Sequence, residues 1–387
     1  MPRCCLAGSL LLSLPLLAHA DDRARGREAL AGKDFARAAA CFRACLQVDP
    51  NDAGAHYQLG NVYLQTQDYP AALAEFTAAV RLNPQDAKAH FNRGYVHAVT
   101  GAFDEAIADF TAAIGLAPTD ADAYYWRGCG HAGCHDYVHA AADFTEAVRL
   151  APDHAAALYQ RAVAYTRQDK LPQAVADLSA AILLDPQDST FYYERGLAHA
   201  ALREPTRALS DFTVAIHLDP KNERALQQRG VVHLLQGEHD RAIRDFTEVL
   251  RLDDQHAAAY GPRGYAYLQK KDYAHGVADL TAAVRLDPAD ALHTRLLAWV
   301  LATCPQERQR DGKRAVTLAT KAHELSDGSA LALETLAAAH AECRNFPAAV
   351  RWQQQAVDKA AKSGVQSAAK ARQRLRLYQA SKPCREE

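Results

Sequence analysis

Between residues 53 and 290 the small and large apolar positions recur in a fixed order with a period of 34 residues. With Ala53 as the first place, the eighth is Gly60, Gly94, Gly128, Gly196, Gly230 and Gly264 in successive periods, with Ala162 in the remaining one. The twentieth is Ala72, Ala106, Ala140, Ala174, Ala208, Ala242 and Gly276, and the twenty-seventh runs from Ala79 to Ala283 with one Val249. A large group stands at the twenty-fourth: Phe76, Phe110, Phe144, Leu178, Phe212, Phe246 and Leu280. This pattern specifies two antiparallel helices per period. Small residues let the backbones approach, and the ring fills the wedge between them. Pro84, Pro118, Pro152, Pro186, Pro220 and Pro288 close the periods, Asp254 being the exception, because proline lacks an N–H and disfavours helix at the residue before it. Two residues on, Asp52, Asp86, Asp120, Asp188, Asn222 and Asp290 are placed to cap the next helix, each contributing roughly 1 kcal/mol.

The recurring set Gly60, Tyr63, Ala72, Phe76, Ala79 and Pro84 resembles the tetratricopeptide repeat, or TPR, family. The resemblance implies an all-α solenoid, a right-handed superhelix of helical hairpins whose concave face is lined by the first helix of each pair. A first repeat is visible upstream in Gly26, Ala38, Phe42, Cys45 and Pro50, which gives eight repeats over 21–290, the first at 21–52. Beyond Asp290 the register shifts around Cys304–Gly312, and loop insertions of this kind are expected on one face of such a stack. Two divergent helix pairs are expected over 291–363, as helices at 291–303, 313–325, 330–343 and 347–361. A polar helix at 365–379, within a capping segment 364–387, would cover the last apolar face. It looks like the closing segment of many exported bacterial TPR proteins.

The first twenty residues read differently. Arg3, the apolar run Leu6–Leu17 and Ala18-His19-Ala20 have the order of a cleaved signal peptide, so the mature chain is expected to start at Asp21 in a periplasmic or secreted compartment. The run is too short for a membrane span, and no later stretch is uniformly apolar. Cleavage would leave seven cysteines, Cys41, Cys45, Cys129, Cys134, Cys304, Cys343 and Cys384. They do not form the dense framework of a disulfide-built fold. Net charge is -2, which provides no field to attract nucleic acid.

The remaining constellations are absorbed by the repeat. Arg93, Arg127, Arg161, Arg195, Arg229 and Arg263 precede the eighth place, with an acid sixteen residues after each, Asp109 through Asp279. A salt-bridge ladder follows. Within a repeat Arg25 would face Cys41 and Leu59 would face Glu75, so pairing between neighbouring repeats is expected instead. His97, His131, His199 and His233 share the eleventh place with Tyr63, Tyr165 and Tyr267 and read as packing residues. Cys129-Gly130-His131-Ala132-Gly133-Cys134-His135 has the wrong spacing for C-x-x-C-H haem attachment. No metalloprotease, nucleophile-elbow or P-loop motif occurs, so neither a catalytic residue, a metal site nor a cofactor is expected.

What remains is a series at the fifth place, Tyr57, Phe91, Tyr125, Tyr159 and Tyr193, ended by Gln227 and Gly261. Helices about 8–10 Å apart hold such rings too far apart to stack on one another, so open faces are expected, like rungs. With Asn61, Tyr95 and Trp126 they form the expected partner-binding groove. A non-catalytic scaffold binding a protein or peptide is implied, with a glycan on the same rungs or a role as accessory subunit of an enzyme complex as alternatives. The family's clamp for a terminal carboxylate is met in part by Asn61, Lys88 and Asn92. It is opposed by Tyr57, where lysine is needed, and by Asp122 and Trp126.

Overall fold

The computed structural model describes residues 13–361 and 365–385. These form twenty-one α-helices and one short 3₁₀ turn, with no strand among the described residues. Helices α1 (Ser13–Ala31) and α2 (Phe35–Val48) make the first hairpin. It is repeated by α3 (Ala53–Gln65) with α4 (Tyr69–Leu82), α5 (Ala87–Val99) with α6 (Phe103–Leu116), α7 (Ala121–Gly133) with α8 (Tyr137–Leu150), and α9 (Ala155–Arg167) with α10 (Leu171–Leu184). The chain continues through α11 (Ser189–Ala201), α12 (Pro205–Leu218), α13 (Glu223–Leu235), α14 (His239–Leu252), α15 (Ala257–Gln269) and α16 (Tyr273–Leu286). It ends in α17 (Ala291–Thr303), α18 (Gly312–Leu325), α19 (Ala330–Glu342), α20 (Phe346–Ala361) and α21 (Val365–Gln379). Contacts divide the chain into two compact units, Met1–Ala198 and His199–Glu387. Each is an all-α solenoid of stacked hairpins.

The eighth place shows why the hairpins close. A Cβ on Gly60 would lie 2.7 Å from the Phe76 ring, and one on Gly128 would lie 2.8 Å from that of Phe144, both rings being fully buried. Where alanine replaces glycine, at Ala162, the partner is the slimmer Leu178, and the two share one core cluster. Asp52, Asp86, Asp120, Asn222 and Asp290 cap the first helices of their hairpins, and Asp188 accepts the Thr190 N–H at 2.8 Å. At α9 the same task falls to His154, whose Nδ1 accepts the Ala157 N–H at 3.2 Å. The turn inside each hairpin from α1–α2 to α15–α16 has a left-handed residue, at the fifteenth place of the repeat, for example Gln67, His135, Asp169 and Lys271, with glycine at only two positions of the series, Gly101 and Gly237.

The ladder forms within repeats, contrary to the expectation of neighbour pairing. Arg127 donates from Nε and Nη2 to Asp143 at 2.8 and 2.7 Å. Arg161 does the same to Asp177 and Arg263 to Asp279, and Arg93 to Asp109. The seventh and twenty-third places flank the glycine–ring contact, so the fork reaches the buried carboxylate without leaving its own hairpin. Its third N–H group goes to the preceding hairpin: Arg127 Nη1 donates to Thr111 at 3.2 Å and Arg263 Nη1 to Thr247 at 3.1 Å. The two apparent mismatches have other partners, since His56 holds Glu75 at 2.6 Å and Asp21 holds Arg25 at 2.6 Å. His131 and His233 lie 3.8 and 3.9 Å from Asp143 and Asp245, so the eleventh-place histidines adjoin the same buried acids.

At the N-terminal end, Arg3 and most of the apolar run fall outside the described residues. α1 continues without a break across Ala20–Asp21, and Arg23 pairs with Asp52. In the second unit the loop after α17 is tied to the C-terminal tail through Glu342. Arg310 and Arg385 both hold this carboxylate, at 3.0 and 2.6 Å, while Arg310 Nη1 donates to the Cys304 carbonyl and Arg385 Nη1 to that of Ala302. α21 closes the stack by burying Ala371 and Leu375 against Val357.

Candidate functional site

In the first unit the first helices of successive hairpins touch in order, α3 with α5, α5 with α7, and α7 with α9. All eight residues expected in the groove, Tyr57, Asn61, Phe91, Tyr95, Tyr125, Trp126, Tyr159 and Tyr193, are half-buried.

The fifth-place rings are not open on both faces as expected. Tyr57 lies over Phe76 with centroids 6.0 Å apart, Phe91 over Phe110 at 5.5 Å and Tyr125 over Phe144 at 5.9 Å. Tyr159 meets the buried Phe191 of the next repeat at 5.5 Å. Spacing between neighbouring repeats ruled out one kind of stacking, but each ring leans onto the twenty-fourth-place ring beneath it or onto its neighbour's third place. Tyr125 is covered further by His154 at 4.8 Å and by Trp126 at 5.4 Å. Burial accordingly pushes the Tyr125 hydroxyl far above its ordinary pKa, with Cys129 adding to it. These rings are therefore partly core residues.

Three of the eight residues converge. Phe91, Tyr95 and Trp126 line a surface cleft of about 530 Å³ between α3, α5 and α7, together with Asn92, Asp122 and Tyr69. Leu64, Gln65 and Gln67 complete the wall. Tyr95 and Trp126 stand edge to face at 4.7 Å and 86°, which makes a rigid aromatic corner. Asn92 Nδ2 donates to Asn61 at 2.7 Å and to the Tyr57 hydroxyl at 3.3 Å, so those two residues position the cleft's amide from behind. Tyr125, Tyr159 and Tyr193 do not line this cleft. Sequence reasoning missed Tyr69, Gln65 and Gln67, which sit at the hairpin turn, where the pattern looks like mere connection. Lys88 is exposed outside the cleft, so this lysine adds no positive charge there, in keeping with the sequence's poor match to the family's carboxylate clamp.

The second unit has a smaller cleft of about 300 Å³ where Tyr265, Leu268, Tyr273 and Trp299 meet. The Arg374 guanidinium lies 4.7 Å from the Trp299 ring centroid. At Gly261, where the fifth-place series ends, the ring of His293 from the next hairpin fills the space, with Nε2 only 2.0 Å from where a Cβ would stand.

Among the described residues, no group of His, Cys, Asp and Glu could hold a metal ion, and no helix is long and apolar enough to cross a membrane. Cys41, Cys129, Cys134, Cys304 and Cys343 are free thiols. Cys129 is pushed up to about 11 by burial.

A sequence profile of the tetratricopeptide repeat matches residues 23–76, 57–121, 135–182, 164–223 and 228–291, more than half of the chain. Among solved structures, the C-terminal part of a TPR repeat-containing protein from Cytophaga hutchinsonii superposes with a TM-score of 0.54 at 15% identity, over 61% of this chain and 97% of that one. For a tetratricopeptide repeat protein from Parabacteroides merdae the values are 0.48, 17%, 65% and 99%. For YrrB, a TPR protein with an unusual peptide-binding site, they are 0.45, 22%, 49% and 97%. Identities this low bear on the fold alone. No curated protein sequence matches the chain.

Proposed function

Because this chain belongs to the tetratricopeptide repeat family, we propose that it is an interaction scaffold with no chemistry of its own, holding an extended segment of a partner protein along the first-helix face of its first unit. The family's repeats generally serve protein–protein interaction, and the cleft at Phe91, Tyr95 and Trp126 is the observation that supports this use here. An extended peptide advances about 3.3 Å per residue and packed helices are roughly 8–10 Å apart, so about every third side chain meets a new helix. Aromatic corners with polar rims are what such a segment needs, since they offer large, rigid contact area at low entropic cost.

Random-peptide display on the full chain, followed by calorimetric titration of the selected peptides, tests the reading. Tyr95→Ala and Trp126→Ala should each lower affinity about tenfold or more, while the melting temperature falls by only a few degrees. Peptides that bind both variants as they bind the parent would overturn it. So would a chain that selects no peptide and instead retains glycans on an array.

We place the working protein in an exported compartment on the order Arg3, Leu6–Leu17 and Ala18-His19-Ala20. N-terminal sequencing of protein recovered from the cell envelope or medium should begin at Asp21. An intact Met1 there would refute the placement.

A further inference from the structure

The cleft of the first unit also has a charge preference, and this step rests on the peptide-binding reading above. We propose that it receives a positively charged side chain, lysine or arginine, of the bound segment.

Four aromatic rings, those of Tyr69, Phe91, Tyr95 and Trp126, surround the space, and its one ionisable charge is the Asp122 carboxylate. No Lys, Arg or His contributes to the lining. Asp122 and Trp126 are four residues apart on α7 and therefore share one face of that helix. The Asp122 side chain is 70% exposed, and its recorded ion-pair neighbour is His154, with Nε2 at 3.7 Å, too long for a hydrogen bond. His154 uses Nδ1 to accept the Ala157 N–H, so its ring is held by its own helix and not by Asp122. Asn92 spends its Nδ2 donors on Asn61 and Tyr57.

The electrostatics therefore converge on one sign. Ring faces carry negative quadrupole potential and attract ammonium or guanidinium groups within about 6 Å. The perpendicular Tyr95–Trp126 pair makes a corner in which a cation meets one face while its apolar stem lies along the other ring. Because the cleft opens to solvent, the charge keeps part of its hydration and does not bear the cost of full burial. An acidic side chain or a chain-terminal carboxylate would meet Asp122 with no cation in the lining to offset the repulsion.

The test uses the full chain and synthetic copies of the peptides selected by display. Selected sequences should be enriched in Lys or Arg at one fixed position. Replacing that residue by the neutral norleucine should weaken binding roughly 3- to 30-fold. In Asp122→Asn, which keeps the shape of the side chain, the same replacement should cost clearly less, and so should measuring the parent in about 0.5 M salt. Selection without Lys or Arg, or a norleucine penalty equal in the parent and Asp122→Asn, overturns the charge preference while leaving peptide binding intact. A library that yields no binder overturns both.

Discussion

Replacing Gly128 by alanine tests how the hairpins close. The new Cβ would lie 2.8, 2.9 and 3.1 Å from Cε1, Cδ1 and Cζ of Phe144, where ordinary contact begins near 3.4 Å. Phe144 is fully buried and packed by Ala140, Ala141, Ala164 and Tyr125, so the ring has nowhere to move without displacing a neighbour. Overpacking of this kind costs about 1–3 kcal/mol, and the gain of alanine over glycine inside a helix offsets about 0.5–1 kcal/mol. The net expectation is a loss of up to about 2.5 kcal/mol. Phe144→Leu alone should also destabilise, by leaving space under Tyr125. The double variant, however, recreates at this hairpin the pair that the chain already uses at Ala162 and Leu178. Urea unfolding of the parent, the two singles and the double closes the cycle. The double should be more stable than the sum of the singles by at least about 1 kcal/mol. Additivity within about 0.5 kcal/mol would show that the glycine is not there to admit the ring.

The ladder predicts coupling inside a hairpin: Arg127→Ala and Asp143→Ala should be strongly non-additive in unfolding measurements, and Arg161→Ala with Asp143→Ala nearly additive, an outcome that reversal of the two would refute. His131 is pushed below the ordinary histidine pKa chiefly by burial, against the pull of Asp143. The folded state therefore favours the neutral ring, and its contribution to stability is present above pH 6.5 and lost as pH falls through the lowered folded value; an NMR titration of this ring that shows a raised pKa would contradict that. Alkylation of the native chain near pH 8 should mark the exposed Cys134 and Cys343 first and leave Cys129, held near 11, unmodified for hours; mass spectrometry of tryptic peptides checks this, and early labelling of Cys129 would count against its burial.

Much of the fold was legible because a repeat states each rule several times. The residues at the eighth, twentieth and twenty-fourth places recur in register, and the helices expected at 291–303 and 365–379 are α17 and α21. Of the residues expected in a groove, Phe91, Tyr95 and Trp126 line one cleft. Tyr69 was not, because it opens the second helix of its hairpin, a position that single-helix patterns assign away from the groove. His293 was not, because it fills the Gly261 gap from the next repeat, and a pattern that compares like places with like places does not register one place substituting for another.

The ladder shows the same limit in its simplest form. In an array with a period of 34, the acid sixteen residues after an arginine and the acid eighteen residues before it occupy the same place, so periodicity alone cannot separate a partner in the same hairpin from one in the preceding hairpin. Only the ends of the array could break the tie, and there the unpaired residues had been taken up elsewhere, Glu75 by His56 and Arg25 by Asp21. What decides is reach. The guanidinium fork spans the hairpin to the buried carboxylate and has one N–H group left for the threonine hydroxyl of the repeat before, as Arg127 does with Asp143 and Thr111. One side chain thereby ties its own two helices and sets their register against the preceding hairpin. Hairpins held at fixed spacing by Arg127 and its counterparts keep α5 and α7 where Tyr95 and Trp126 can meet at a right angle, so the aromatic corner of the cleft rests on contacts made outside it.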